Sequence, residues 1–342
     1  MIRLLSLLTL SAVTAALVPQ TRAETGVATT PSQSTTSADY IRFEGEAGDG
    51  ETDRLQTAVT RFQKEDLIVD LVAVVHLAEQ DYFEGINGLL SDYDVVLYEM
   101  VGGEFDPERA AQALQSDPSA GGLESLQGIQ QVAKSLLGLS FQLEAIDYAP
   151  DNFVHADLTL EEFTSLSATR DESFANLMAR ASELSEQGGL AGIPTDETAM
   201  NELIAVIMNS LMTGDSNGLK RAIAPILSES ESLIAEFEGE DGSVIVSERN
   251  RVVMEKLAVV LAEGHKKVAV FYGAGHMPDL ETRLLALDYT KSSEAWLDAW
   301  TIAEGATTPA PGTAPDIGQL MQLIMDLQPQ LEQLMESFDS AP

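Results

Sequence analysis

The chain has 342 residues, 44% of them hydrophobic and none of them cysteine, with 19 Lys and Arg against 55 Asp and Glu for a formal charge of −36. Without cysteine there is no disulfide, thiolate ligand or cysteine nucleophile, so stability rests on a packed core. The acidity is spread along the chain rather than gathered in a tail, which reads as a strongly hydrated exterior that repels nucleic acid and anionic lipid.

Arg3 precedes an apolar stretch from Leu4 to Val18, and Thr21-Arg22-Ala23 supplies a small residue at a cleavage point, so residues 1–23 are predicted to be an export signal. That stretch is shorter than the ~20 residues a membrane helix needs, and no later segment reads as a span. The expected destination is periplasmic or extracellular, with no integral membrane span once the signal is removed. Removing Arg3 and Arg22 with the signal takes the charge to 17 − 55 = −38. Residues 24–39 are Ser-, Thr- and Ala-rich without apolar period and are expected to form a flexible linker.

Residues 40–302 carry the folded domain. Tyr40 to Phe43 reads as a short strand, and Leu55, Val59 and Phe62 recur at i, i+4 and i+7, the spacing of an amphipathic helix. Leu67 to His76, Ala78 to Leu90 and Val95 to Glu99 then read as strand, helix and strand, a βαβ unit that favours a parallel sheet. Residues 105–240 turn Ala-, Leu-, Ser- and Gln-rich and are expected to be a mainly helical insertion. Within it, Asn152 to Asp157 resists that reading as an extended segment, and Thr159-Leu160-Glu161-Glu162 is a capping box that opens a helix. The alternating pattern resumes with helix Ser247 to Glu263, strand Lys267 to Tyr272, helix Pro278 to Leu287 and an extended segment holding Trp296 and Trp300, which are expected to plug the core. Residues 303–316 form a Pro- and Ala-rich linker. Residues 317–338 keep helical apolar spacing, suited to a partner, to a membrane surface or to folding back on the domain, and the acidic polar face of Asp326, Glu332 and Glu336 argues against anionic lipid. The expected class is α/β: a central, mostly parallel sheet with flanking helices and a large helical insertion.

The chemistry centres on two similar phrases, Ala73-Val74-Val75-His76 and Gly273-Ala274-Gly275-His276, each closing a buried β-branched run. The C-terminal edge of a parallel sheet is where α/β proteins place ligands. Glu99 ends a third run, so two imidazoles and one carboxylate could bind a metal or share protons in catalysis. Gly273 and Gly275 permit positive φ and close backbone approach, and the helix near Pro278 would aim its amides toward the ligand of His276. His155 and Asp157 form a second tier, although Asp157 just ahead of Thr159 could serve only the helix start. His265, beside Lys266 and Lys267, reads as a solvated loop residue. No His-Glu-x-x-His helix, Gly-x-Ser-x-Gly elbow, P-loop or dinucleotide fingerprint is present, which removes the corresponding protease, serine hydrolase, NTPase and nicotinamide readings.

Ala73-Val74-Val75-His76, Tyr82-Phe83, Asp94 to Glu99, Ser247-Glu248-Arg249-Asn250 with Met254, and Gly273 to Met277 stand in an order and spacing that resembles the TraB/GumN/Tiki family. The stretch from Ala145 to Asp157 resembles it too, and the likeness spans roughly residues 40 to 300. Ala73 stands where the family carries glycine. The resemblance implies a fold related to the erythromycin-esterase-like and ChaN-like proteins, with a site of His76, Glu99, Arg249 and His276. It further implies a metal-dependent hydrolase, most of all a peptidase, or alternatively a protein that binds and sequesters a peptide or small ligand. In the metal version His76, Glu99 and His276 hold manganese, cobalt or zinc and Arg249 binds a substrate carboxylate or steadies an oxyanion. In the metal-free version, peptidase or esterase, one histidine is the general base, Glu99 orients it and Arg249 stabilises the tetrahedral intermediate. Outside the resemblance, Arg249 has a plainer reading as a helix-start arginine paired with Glu248 or a nearby aspartate.

Overall fold

The computed structural model describes residues 40–45, 52–101, 137–170, 172, 206, 210, 213–229, 234 and 242–303. The expected signal at 1–23, the expected linker at 24–39, the expected terminal helix at 317–338 and almost all of the expected linker at 303–316 lie outside the described residues.

In chain order the strands are β1 (Ile41–Glu44), β2 (Asp53–Lys64), β3 (Leu67–Val74), β4 (Leu77–Ala78), β5 (Val95–Tyr98), β6 (Ser140–Phe141), β7 (Phe153–His155), β8 (Lys267–Gly273) and β9 (Thr290–Ile302). The α-helices are α1 (Gln80–Leu90), α2 (Gln142–Ala145), α3 (Leu160–Thr169), α4 (Ser216–Ser228), α5 (Arg249–Ala262) and α6 (Met277–Ala286). Seven strands form one mixed sheet in the order β1-β2-β3-β8-β5-β7, with β9 also on β2. The pairs β3–β8, β8–β5 and β5–β7 are parallel, while β2 runs antiparallel to β1, β3 and β9. Six strands therefore point one way and β2 alone opposes them. The fold is α/β.

The expected helix through Leu55, Val59 and Phe62 is instead strand β2. Its two edges explain why: β9 pairs along Asp53 to Gln63 on one side, and on the other β1 takes Arg54 to Thr57 while β3 takes Val59 to Lys64. Leu55, Ala58 and Phe62 are fully buried between these partners, so ladder pairing from both sides overrides a spacing that only resembles a helix. The βαβ pair is parallel as expected, but β3 and β5 are not neighbours, because β8 inserts between them.

The 105–240 region is not helical throughout its described part. It supplies β6 and β7, the latter joining the main sheet beside β5, as well as α2, α3 and α4. Thr159 caps α3 with the reciprocal Glu162 bond that its sequence announces. Trp300 is buried, with Nε1 donating to the carbonyl of Leu77 at 2.7 Å. A bulge between Leu55 and Gln56, where β9 passes from Trp300 to Asp298, breaks the alternation, and half-buried Trp296 stacks under Arg42 at 4.0 Å. Among the described residues no helix is long and apolar enough to cross a membrane.

Candidate functional site

Parallel registry brings four chain exits to one edge. Val74 lies opposite Gly273, and Tyr98 lies opposite both Phe271 and His155. The residues that leave these ladders are His76 after β3, Glu99 after β5, Asp157 after β7 and His276 after β8. The sheet thus gathers at its C-terminal edge the groups that sequence places up to 200 positions apart.

Arg249 joins them from the first turn of α5. A π-helical turn, Val244–Glu248, precedes it, opened by the Ser243 side chain accepting from Val246 N–H. Arg249 is 7% exposed and does not pair with Glu248, which instead meets Arg170 and Arg251. Its Nε and Nη2 donate to the two oxygens of Asp157 at 2.8 and 2.7 Å, and Nη2 also donates to Glu99 Oε1 at 2.6 Å. Nη1 donates to the carbonyl of Ile245 at 3.3 Å and to His276 Nε2 at 3.2 Å. A guanidinium has five N–H donors, and all five are committed within the protein. As packed here, Arg249 therefore has no donor left for a substrate carboxylate or an oxyanion.

Asp157 moves from the second tier to the centre. Its side chain is fully buried on Arg249, while the helix start beside it is served by Thr159 and Glu162. Glu99 divides its carboxylate between Arg249 and the Gly273 N–H, which donates to Oε2 at 2.7 Å. Burial alone would raise the Glu99 pKa; Arg249, His276, His76 and the Gly273 amide outweigh it and hold the carboxyl well below the usual range. Gly273 has φ −53°, and a Cβ there would stand 3.3 Å from Glu99 Oε2. Neither Gly273 nor Gly275 is among the positive-φ glycines, so close approach rather than positive φ is the reason for glycine; a Cβ on Gly275 would collide with the Ile234 side chain.

The two clustered histidines, His76 and His276, are each clamped through Nδ1 by a carboxamide. His276 Nδ1 lies 2.8 Å from Asn250 Oδ1, and Asn250 Nδ2 donates to the His276 carbonyl and to Asp279. An amide oxygen only accepts, so Nδ1 carries the proton and Nε2 presents a lone pair to Arg249. Burial, together with the repulsion from Arg249 and His76 and against the pull of Glu99 and Asp157, brings the His276 pKa down to about 4. Tyr272 packs edge-on against its ring at 5.2 Å.

His76 sits in the bend after β3. The Gln142 backbone N–H donates to the His76 carbonyl at 2.9 Å, the Gln142 side-chain oxygen meets His76 Nδ1 at 2.8 Å, and Gln142 Nε2 donates to Tyr148 O–H at 3.1 Å. The β4–β6 pair and the Trp300 bond to Leu77 hold the same bend. The His76 proton thus rests on Nδ1, and Nε2 of this partly buried side chain has no partner among the described residues. His76 lies within electrostatic reach of Glu99 and His276. Ala73 is fully buried in β3, where its methyl causes no departure from the ladder.

His155 stands apart from this cluster: its Nε2 pairs with the Met100 carbonyl at 2.7 Å and its ring meets Tyr98 edge-on, so it fastens the exit of β5. His265 lies beyond the end of α5, with its backbone N–H on the Val260 carbonyl. Sequence reasoning missed Gln142 and Asn250. Asn250 adjoins Arg249, which offered a weak clue, whereas nothing local marks Gln142.

The donor set expected for a metal does not fit one as it is packed. Glu99 Oε1 and His276 Nε2 both accept from Arg249, and Glu99 Oε2 accepts from Gly273. His276 Nε2 commits its single lone pair to Arg249, both Glu99 oxygens already accept a hydrogen bond, and His76 Nε2, the one expected ligand atom with no partner among the described residues, does not make a divalent site alone. Among the described residues, no group of three or more His, Cys, Asp or Glu side chains has metal-binding geometry.

Compared with known families and with curated proteins, the chain matches no family model and no curated sequence.

Proposed function

We propose that this is an exported hydrolase of peptide bonds, or of esters, in which His76 Nε2 activates water without a metal. One observation carries the reading: among the described residues His76 alone of the clustered side chains offers an unshared ring nitrogen, fixed in tautomer by Gln142 and only partly buried at the sheet edge. Water bound at Nε2 gives up its proton as it attacks the carbonyl carbon. The proton then passes from His76 to the leaving amine or alcohol as the carbon–heteroatom bond breaks. Glu99, held ionised by Arg249, favours the imidazolium that forms between the two transfers. The committed guanidinium argues for uncharged or cationic acyl groups over free carboxylates. The motif order supports kinship with the TraB/GumN/Tiki proteins and an erythromycin-esterase- or ChaN-like fold, and the leader-like residues 1–23 support a periplasmic or extracellular setting.

A second reading, a protein that sequesters a peptide or small molecule over the same edge, is favoured by the same saturation of Arg249. A catalyst of acyl transfer gains from an unpaired cationic donor for the oxyanion, and this guanidinium offers none. Peptide and ester libraries incubated with the purified protein in excess chelator separate the two. Cleavage that falls by about 10²-fold or more in His76→Ala supports the hydrolase. Absence of cleavage, with ligand retained by both proteins, replaces it with the binding protein.

A further inference from the structure

We propose that the Arg249 guanidinium is the resident cation of this site, seated where Glu99, Asp157 and His276 would otherwise hold a divalent ion. The native chain then takes no metal there, and removing the guanidinium opens a site of one histidine and two carboxylates.

The donors around Arg249 are those of a transition-metal site. Two carboxylate oxygens, Glu99 Oε1 and Asp157 Oδ2, approach one nitrogen, Nη2, at 2.6 and 2.7 Å, and His276 Nε2 approaches the neighbouring Nη1 at 3.2 Å. All three side chains are shielded, the most exposed, Glu99, at 13%. His276 already presents the unprotonated Nε2 that a metal requires, because Asn250 takes the proton at Nδ1. Glu99 Oε1 and His276 Nε2 stand 3.7 Å apart. Two ligands of one tetrahedral ion, each about 2.1 Å from it, are about 3.4 Å apart. A contraction of a few tenths of an ångström closes that gap, and Asp157 Oδ2, which shares Nη2 with Glu99 Oε1, supplies the third donor.

Charge gives the second argument. Two buried carboxylates face one guanidinium, so the cluster needs a cation at its centre, and deleting Arg249 leaves two uncompensated charges in a shielded pocket. In the native chain the arginine meets that need permanently and with five directed bonds, which a diffusible ion would have to displace. This inference bears on the cation alone. It stands or falls independently of whether His76 catalyses hydrolysis, because its readout is bound metal rather than turnover.

The test compares wild-type protein, Arg249→Met, Arg249→Gln and His276→Ala after dialysis against Mn²⁺, Co²⁺ or Zn²⁺, with metal counted by elemental analysis. His276→Ala sets the background from this acidic surface. Wild type is expected to match that background, whereas Arg249→Met binds about one further equivalent, lost again when His276→Ala is added, and its thermal unfolding rises with the ion. An extra equivalent in wild type that His276→Ala removes overturns the proposal. So does a folded Arg249→Met or Arg249→Gln that binds none. Should both variants unfold without metal, refolding on addition of the ion supports the proposal and failure to refold counts against it.

Discussion

Arg249 Nη1 donates to His276 Nε2 across 3.2 Å, while the opposite nitrogen of the same imidazole gives its proton to Asn250. A neutral imidazole held on both sides in this way accepts no proton from water unless the arginine moves. The two histidines, similar in sequence, thus have different tasks: His276 is part of a buried ionic cluster, and His76 is only partly buried with Nε2 unshared among the described residues.

Burial of a neutral His276 predicts a definite pH dependence of stability. Its pKa falls from 6.5 to about 4 on folding, so between these values the unfolded chain binds more protons than the native one. Its contribution is complete above about pH 6.5, declines as pH falls and is gone near pH 4, a loss of about 3 kcal/mol at 1.36 kcal/mol per unit. Glu99, whose pKa is also depressed, adds its own loss only below the ordinary carboxylate range, near pH 4. Urea unfolding at pH 7 and pH 4.5 measures the difference, and His276→Asn should flatten it. An unchanged slope in that variant assigns the loss to other groups.

Asp157 anchors the cluster, and its removal should be felt in both stability and site geometry. Asp157→Asn keeps the shape but surrenders the charge that receives Arg249 at 2.7 Å, leaving the guanidinium with Glu99 as its one anionic partner. Breaking a buried pair on one side costs about 3 kcal/mol or more. Chemical denaturation should show this loss, together with weaker ligand binding or hydrolysis. A variant as stable as wild type contradicts the buried bidentate pair.

Several parts of this arrangement are legible in the sequence because they depend on short-range chemistry. The β-branched runs ending at His76, Glu99 and His276 give strands β3, β5 and β8, and the Thr159–Glu162 capping box gives the start of α3. What escapes is set by partners far along the chain. Leu55, Val59 and Phe62 mimic a helix until β9, far along the chain at Thr290–Ile302, supplies the second ladder edge. Asp157 is undervalued because the adjacent Thr159 offers a sufficient local explanation for an acidic residue there. Gln142 carries no signal at all, since a clamp on His76 arises only when β6 pairs with β4. The saturation of Arg249 is likewise a property of five acceptor atoms on four residues, Glu99, Asp157, Ile245 and His276, not of any motif.

Stability and site chemistry should be separable at Asp70. This aspartate is 1% exposed in β3, accepts Arg61 Nε and Nη2 at 2.8 and 2.7 Å, and accepts Tyr93 O–H at 2.5 Å. Its cross-strand partner Arg61 reaches solvent, so that cation can rehydrate when the aspartate is lost. Asp70→Asn is expected to cost about 2 kcal/mol and Tyr93→Phe about 1 kcal/mol in urea unfolding. Neither should alter the imidazole signals of His76 or His276. A change in those signals would tie the Asp70 cluster to the sheet edge above it.

Gln142 is predicted to set the tautomer of His76. Its side-chain oxygen takes the Nδ1 proton at 2.8 Å, its amide nitrogen is anchored on Tyr148, and its backbone holds the His76 carbonyl. In water a neutral imidazole is free to place its proton on either nitrogen, and the clamp removes that choice. Imidazole ¹⁵N chemical shifts at a pH where His76 is neutral should report Nδ1–H in the native protein and a mixture in Gln142→Leu. If His76 is the base, hydrolysis in Gln142→Leu falls by about 10-fold through kcat, in proportion to the lost tautomer and orientation. A native signal showing the proton on Nε2 would remove His76 as the water-activating group, because the unshared nitrogen would then be a donor.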